Sequence, residues 1–253
     1  MKASFIIRFH TERIDNLIQI LRIMSVWHED VIKDSELITV CQDTLTTSLP
    51  VSHWGTHRNF NLDLDEMRLP QVTNFGVDQT TCDKIFLLDS DRILPKGYFA
   101  DVLNQMKEGV QISIFRSKKL DSPHSDEQII NDELQFTWDD HTTSNDLTTK
   151  GMWSGNTAFI KSDFIRSGKM DEGFFGYGWE DTDMCLATQK AGIESIYREE
   201  TEIHLWHPRM TYGTTKDQNK LFVDSGIRFC KKWNKPLPQI LRQAMLDYRG
   251  DIL

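Results

Sequence analysis

The chain has 253 residues, of which 39% are hydrophobic and 26% charged, and it carries a formal net charge of -9. That length can bury a large core, and the composition is that of an ordinary globular protein, which excludes disorder as the starting expectation. The acidic balance argues against a general nucleic-acid or anionic-membrane surface, yet it leaves room for an anionic nucleotide screened by a divalent cation.

Ala3 to Phe9, with the run Ser4-Phe-Ile-Ile, reads as a buried first strand. Arg13 to Met24 follows with Ile14, Leu17, Ile18, Leu21 and Met24 at helical spacing, and Leu37 to Cys41 is a second strand ending at Asp43. This strand, helix, strand opening predicts a parallel sheet. Ligands bind at the carboxyl ends of such strands, so Asp43 stands at the working edge, as a ligand contact or as a turn aspartate. Val51 to Asn61 holds His53 and His57 around Gly55 and reads as a solvent-facing loop rather than a metal site. Gln71 to Thr80 reads as a short helix containing Asn74 and Gly76.

Lys84 to Leu88 is a strand, and Asp89-Ser90-Asp91 stands at its end. Residues two apart on extended chain point the same way, so both carboxylates can face one cation, and oxygen ligands suit Mg²⁺ or Mn²⁺. A helix over Tyr98 to Met106 and a strand over Val110 to Phe115 follow. Ser117 to Lys150 is polar and aperiodic, and reads as an excursion with at most a short helix that can close over the site.

The richest stretch runs from Gly151 to His207. Gly173, Gly176 and Gly178 predict a tight loop before Trp179-Glu180-Asp181-Thr182-Asp183, and a helix then runs from Thr182 to Ala191 and stops at Gly192. The acids therefore stand at a helix N-terminus, where the dipole favours their charged, proton-accepting form, and the alternative is a plain capping role. Trp179 offers a flat face to a sugar ring. Ile193 to Tyr197 and Thr201 to Leu205 are short strand candidates. His204-Leu-Trp-His207 supplies two imidazoles, of which strand alternation directs one towards the Asp pair. Asp217 to Trp233 and Pro238 to Tyr248 read as closing helices.

Cys41, Cys82, Cys185 and Cys230 are too far apart for a metal-spaced pair and read as free thiols of a reducing compartment. No apolar run approaches transmembrane length, and Met1 to His10 lacks the pattern of a signal peptide, so a cytoplasmic location is the expectation.

In order, the chain shows Asn74-x-Gly76, Leu87-Leu-Asp-Ser-Asp, Gly155-Asn-x-x-Phe159, Met170-Asp-Glu-x-Phe, Gly178-Trp-Glu-Asp-x-Asp and His204-Leu-Trp-His. The ordered set resembles the inverting GT-A glycosyltransferases, family 2 and its galactosyl- and N-acetylgalactosaminyltransferase relatives, from Phe5 to about Pro208. The resemblance implies an α/β fold: one GT-A α/β/α sandwich over residues 1–253, with a mostly parallel mixed sheet. Residues 1–115 would be the nucleotide-binding half, 151–210 the acceptor and catalytic half, and 211–253 the closing helices. It implies a metal-dependent enzyme of glycan synthesis that moves galactose, N-acetylgalactosamine or a related hexose from a UDP-sugar to a glycan or other hydroxyl acceptor. Asp89, Asp91 and His204 would hold Mn²⁺ or Mg²⁺ on the diphosphate, and Asp43 and Asn74 would serve the nucleotide. Asp181 would be the base and Glu180 its acceptor-orienting neighbour. Trp179, Trp153, Gly155, Asn156, Asp183 and His207 would contact substrate. The first strand ends Ile7-Arg8-Phe9-His10 and Lys169-Met170 precedes the Asp-Glu, both departures from the family pattern. A nucleotidyltransferase acting on sugar phosphates is the competing enzyme class, but Ile7 to Arg13 lacks the glycine-rich phosphate loop expected there. An inactive carbohydrate-binding homologue is the competing non-enzyme, and the retained acids and His204 argue against it.

Overall fold

The apolar run near the N-terminus forms β1 (Ser4–Phe9), and all six of its residues are buried. A strand buried on both faces needs apolar side chains at every position, which is why this run does not alternate. The structure is a computed structural model and describes residues 2–64, 68–140, 155–176, 178–208 and 216–249. After β1 come α1 (Ile14–Trp27), the short α2 (Glu29–Ile32) and β2 (Glu36–Cys41), which pairs parallel with β1. β3 (Thr56–Asn61), α3 (Leu69–Gln79) and β4 (Lys84–Asp89) complete a parallel block in the order β3-β2-β1-β4.

The second half is mixed. It runs through β5 (Arg92–Ile93), α4 (Tyr98–Gln105), β6 (Val110–Leu120), α5 (Asp126–Ile130), β7 (Phe136–Asp140), β8 (Thr157–Ile160) and α6 (Lys161–Arg166). α7 (Glu180–Lys190), β9 (Glu194–His204), α8 (Lys216–Trp233) and α9 (Gln239–Arg249) follow. Among the described residues all nine strands join one sheet, β3-β2-β1-β4-β8-β6-β9-β5, with β7 paired to β6. β8 runs antiparallel to β4 and β6, while β9 runs parallel to β6, so most strands share the direction of β1.

Neighbouring residues of β1 face opposite layers. Phe5, Ile7 and Phe9 join one apolar cluster with Leu17, Ile20, Leu21 and Met24 of α1 and Phe99 of α4. Ile6 joins the other, with Val72 and Val77 of α3 and Met184 of α7. Phe5 is the centre of the first: its ring stacks on Phe86 at 4.7 Å and meets Phe99 and Trp54 edge-on at 4.8 and 5.0 Å. Removing such a ring costs about 3–5 kcal/mol. Gly76 lets α3 lie close to the sheet, since a Cβ there would come within 2.7 Å of Ile6 Cγ2. A third cluster, Phe174, Val223, Phe229, Leu241 and Met245, forms where α8 and α9 close over the loop before α7.

Three segments depart from expectation. Val51 to Asn61 is not wholly loop: Trp54 is buried and residues 56–61 form β3, an edge strand whose polar outer positions hid its pairing. Ser117 to Lys150 is not aperiodic throughout, because β6 continues to Leu120 and pairs with β7, with α5 between them. Residues 141–150 of that stretch lie outside the described residues. The two short strands expected after Ile193 are one, β9, whose pairing with β6 shifts between Ile114 and Arg116; the extra residue breaks the alternation a single strand would show.

Candidate active site

Strand direction brings the site together. β1, β2, β4 and β9 end at one edge of the sheet, where antiparallel β5 and β8 begin: Arg8 lies beside Asp89, Phe9 beside Cys41, and Arg92 beside His204. Asp89 is the last residue of β4 and Asp91 lies past it in the turn to β5. The chain turns between them, and both carboxylates approach the same Arg92 Nε, Asp89 Oδ2 at 3.8 Å and Asp91 Oδ1 at 3.9 Å.

Asp91 faces the imidazoles. Its Oδ2 lies 3.4 Å from His207 Nε2 and 3.8 Å from His204 Nε2, and the two Nε2 atoms are 3.2 Å apart. Among the described residues these three form the only group of acid, imidazole or thiol side chains whose ligand atoms all lie within 4.8 Å. Burial opposes the charge on Asp91, but the His207 hydrogen bond and the charges of Arg92 and the imidazoles hold its carboxyl well below the usual range. Burial and the nearby Arg92 push His204 down to about 4, so its ring is neutral at pH 7. An ionised carboxylate beside a neutral imidazole is the state a divalent cation needs.

Asp89 is occupied by arginines. Arg8 Nη2 donates to its Oδ1 at 3.0 Å, and Arg92 Nε lies 3.8 Å from its Oδ2. Arg92 also donates to Glu202, whose other oxygen accepts from Asn156 Nδ2 at 2.5 Å, and Asn156 Oδ1 accepts the Asp89 N–H at 3.3 Å. Gly155 is required here, because a Cβ would come within 2.8 Å of Asp89 Oδ2. Arg8, Arg92 and Glu202 were not singled out from sequence. The signals were an arginine inside an apolar strand, an arginine directly after Asp-Ser-Asp, and a glutamate two residues before His204.

The acids of α7 separate into different roles. Gly178 at φ 99° and Trp179 at φ 75° turn the chain into the helix. A left-handed tryptophan is strained by roughly 1–2 kcal/mol. Its ring packs on Phe229 at 5.3 Å and Phe222 at 5.7 Å, and a Cβ on Gly226 would come within 2.9 Å of its Nε1. Trp179 thus packs on the α8 cluster while remaining partly exposed. Asp183 is buried and spends both oxygens on α8, accepting from Lys232 Nζ and Trp233 Nε1 at 2.8 Å each. This ties α7 to α8.

Glu180 is 5% exposed and its Oε2 is buried without a hydrogen-bond partner. Burial, reinforced by the charge of Asp181, pushes it up to about 8, and Arg8 opposes this only in part. The dipole argument for a charged Glu180 therefore fails: desolvation outweighs the helix terminus. Asp181 is half-buried beside it.

Asp43 accepts from the Thr11 N–H at 3.0 Å and from Cys41 Sγ at 2.9 Å, with His10 Nε2 3.5 Å away. It stands at the expected edge, closing the turn after β1. Asn74 spends its amide on the loop before α7, donating to Met170 O at 2.9 Å and Glu172 Oε1 at 2.8 Å and accepting from Met170 N at 3.0 Å. Its amide braces the loop before α7. Trp153 lies outside the described residues. A cavity of about 360 Å³ opens beside His207, lined by Lys119, Asp121, Thr137, Trp206 and Pro208 among others.

Residues 141–211, a stretch that includes Trp179, Glu180, Asp181, His204 and His207, match the family model described as the N-terminal domain of galactosyltransferase. No curated protein sequence matches the chain. Solved structures do. S. aureus TarS aligns at a TM-score of 0.62 and 10% identity, covering 98% of this chain and 43% of that one. GalNAc-T7 with UDP, GalNAc and Mn²⁺ aligns at 0.60 and 13%, covering 97% and 54%. The mannosyltransferase PcManGT from Pyrobaculum calidifontis, in complex with GDP-Man and Mn²⁺, aligns at 0.53 and 12%, covering 98% and 70%. The chain spans about half the length of the first two. The fold is the GT-A fold of the glycosyltransferases, as the resemblance implied.

Proposed function

We propose that this protein is a metal-dependent, inverting glycosyltransferase that moves a hexose from a nucleotide-sugar, UDP-linked galactose or N-acetylgalactosamine foremost, to a glycan hydroxyl. The observation that carries the reading is the convergence of Asp91, His204 and His207 at the sheet edge of a GT-A fold. The galactosyltransferase family match and the nucleotide and Mn²⁺ complexes of fold neighbours support it.

Asp91, His204 and His207 would hold the cation. Two imidazole nitrogens favour Mn²⁺ over Mg²⁺, which prefers oxygen alone. When bound, the cation supplies charge neutralisation for the departing nucleoside diphosphate. Asp89 fixes Arg8 and Arg92 beneath that position. Asp181 accepts the proton of the acceptor hydroxyl as its oxygen attacks the anomeric carbon from the face opposite the leaving group, which inverts the configuration. Glu180, held neutral by its burial, donates a hydrogen bond that orients the acceptor. Trp206 is 38% exposed beside the cavity at His207 and offers an indole face to a sugar, a second candidate beside the partly exposed Trp179. One catalytic domain spanning 1–253 accords with the single sheet. Among the described residues no helix is long and apolar enough to cross a membrane, and a cytoplasmic site of action is part of this proposal.

A panel of UDP- and GDP-sugars, assayed with Mn²⁺ for nucleoside diphosphate release with and without glycan acceptors, tests it. Acceptor-dependent release from one donor is expected. Release of pyrophosphate from a nucleoside triphosphate and a sugar phosphate would instead establish the nucleotidyltransferase.

A further inference from the structure

β5 is two residues long, and one of the two is Arg92. The register sets it opposite His204 on β9, and the Leu205 N–H donates to the Asp91 carbonyl at 2.8 Å. Arg92 therefore stands beside both Asp91 and the strand that carries His204, which arrive from distant parts of the chain. Arg92 Nε lies 3.9 Å from Asp91 Oδ1, whereas the imidazoles approach Oδ2. One oxygen of Asp91 is held towards the arginine and the other is left to the histidines. Glu202, 3% exposed, takes the charge of Arg92 on one oxygen and the Asn156 amide on the other. Asn156 closes the circuit on the Asp89 N–H.

A pair buried this deeply carries a desolvation cost that packed apolar side chains would avoid, so stability alone is a weak reason for it. A second reason is geometric: its members touch both strands that deliver ligands. We propose that Arg92 and Glu202 are positioning residues for the cation site. Arg92 orients the Asp91 carboxylate and pins β5 against β9, and Glu202 holds the guanidinium back from Asp91, where its charge would compete with a cation. This rests on the metal reading above.

The test is Mn²⁺ affinity of the full chain, measured without substrate by calorimetry and by the electron paramagnetic resonance signal of free Mn²⁺. Thermal unfolding is recorded on the same samples. Arg92→Lys keeps the charge and loses the fork; Glu202→Gln keeps the shape and loses the charge. Each is expected to weaken Mn²⁺ binding about tenfold or more, as loss of partners behind metal ligands generally does, while unfolding remains cooperative. Should the single variants fail to fold, Asn156→Asp with Glu202→Gln restores the hydrogen-bond polarity and moves the charge away from Arg92. That double variant is expected to fold and still bind Mn²⁺ weakly. A folded variant that binds within about twofold of the parent overturns the proposal. So does failure of all three to fold, since the network would then be a folding requirement. A parent chain that binds no Mn²⁺ overturns the metal reading itself, a separate result.

Discussion

His204 and His207 bring their Nε2 atoms within 3.2 Å of each other, and both lean on one oxygen of Asp91. On a continued strand, residues three apart would face opposite sides. β9 stops at His204, and the chain beyond it turns the second imidazole back onto the first.

Both imidazoles are therefore expected to act as ligands. His204→Ala and His207→Ala should each weaken Mn²⁺ binding about tenfold or more, and Asp91→Ala should abolish it. Asp89→Asn should cost less than Asp91→Asn, because both Asp89 oxygens already face arginines. Calorimetric titration decides; full affinity in His207→Ala would leave His204 as the only imidazole ligand.

Asp181→Asn should fold normally, bind donor and lose turnover by about a hundredfold or more, the usual loss for a missing general base. Glu180→Gln imitates the neutral form that burial imposes, and should retain activity within about tenfold. With Glu180 pushed up to about 8, the parent should lose kcat/KM as pH rises through 8, and Glu180→Gln should lack that fall. A dead Glu180→Gln beside an active Asp181→Asn would exchange the two roles.

Asp183→Ala should act on stability. The buried carboxylate holds Lys232 and Trp233, and its removal strands both donors at a cost of about 3 kcal/mol. Urea unfolding should show that loss while nucleotide-sugar affinity stays near the parent value. Affinity lost without destabilisation would restore the substrate contact.

His28 is 1% exposed, and burial pushes it down to about 4. The unfolded chain takes up a proton near pH 6.5 that the folded chain resists, so stability should fall as pH drops from 6.5 through 4. The full shift corresponds to about 3 kcal/mol. His28→Gln should unfold in urea with that much less pH dependence over the window; an identical slope in both proteins would show that His28 titrates normally.

Local patterning is legible in the sequence alone. Runs such as Phe5-Ile-Ile and Ile85-Phe-Leu-Leu are apolar because both faces of the sheet are covered. The spacing of Leu17, Leu21 and Met24 marks a helix face, and Gly192 marks the end of α7. The acids at the start of α7 and the histidines at the end of β9 and just past it are legible for the same reason, as short motifs beside predictable elements. What each side chain faces depends on the three-dimensional packing. Arg8 and Arg92 claim Asp89, Lys232 and Trp233 claim Asp183, and Phe222 and Phe229 claim Trp179, from positions up to 81 residues away. Burial raises Glu180 against the pull of the helix terminus, and the end of β9 turns His207 onto His204. Hydrogen bonding and desolvation depend on neighbours distant in sequence, and periodicity records only which way a residue points along its own element.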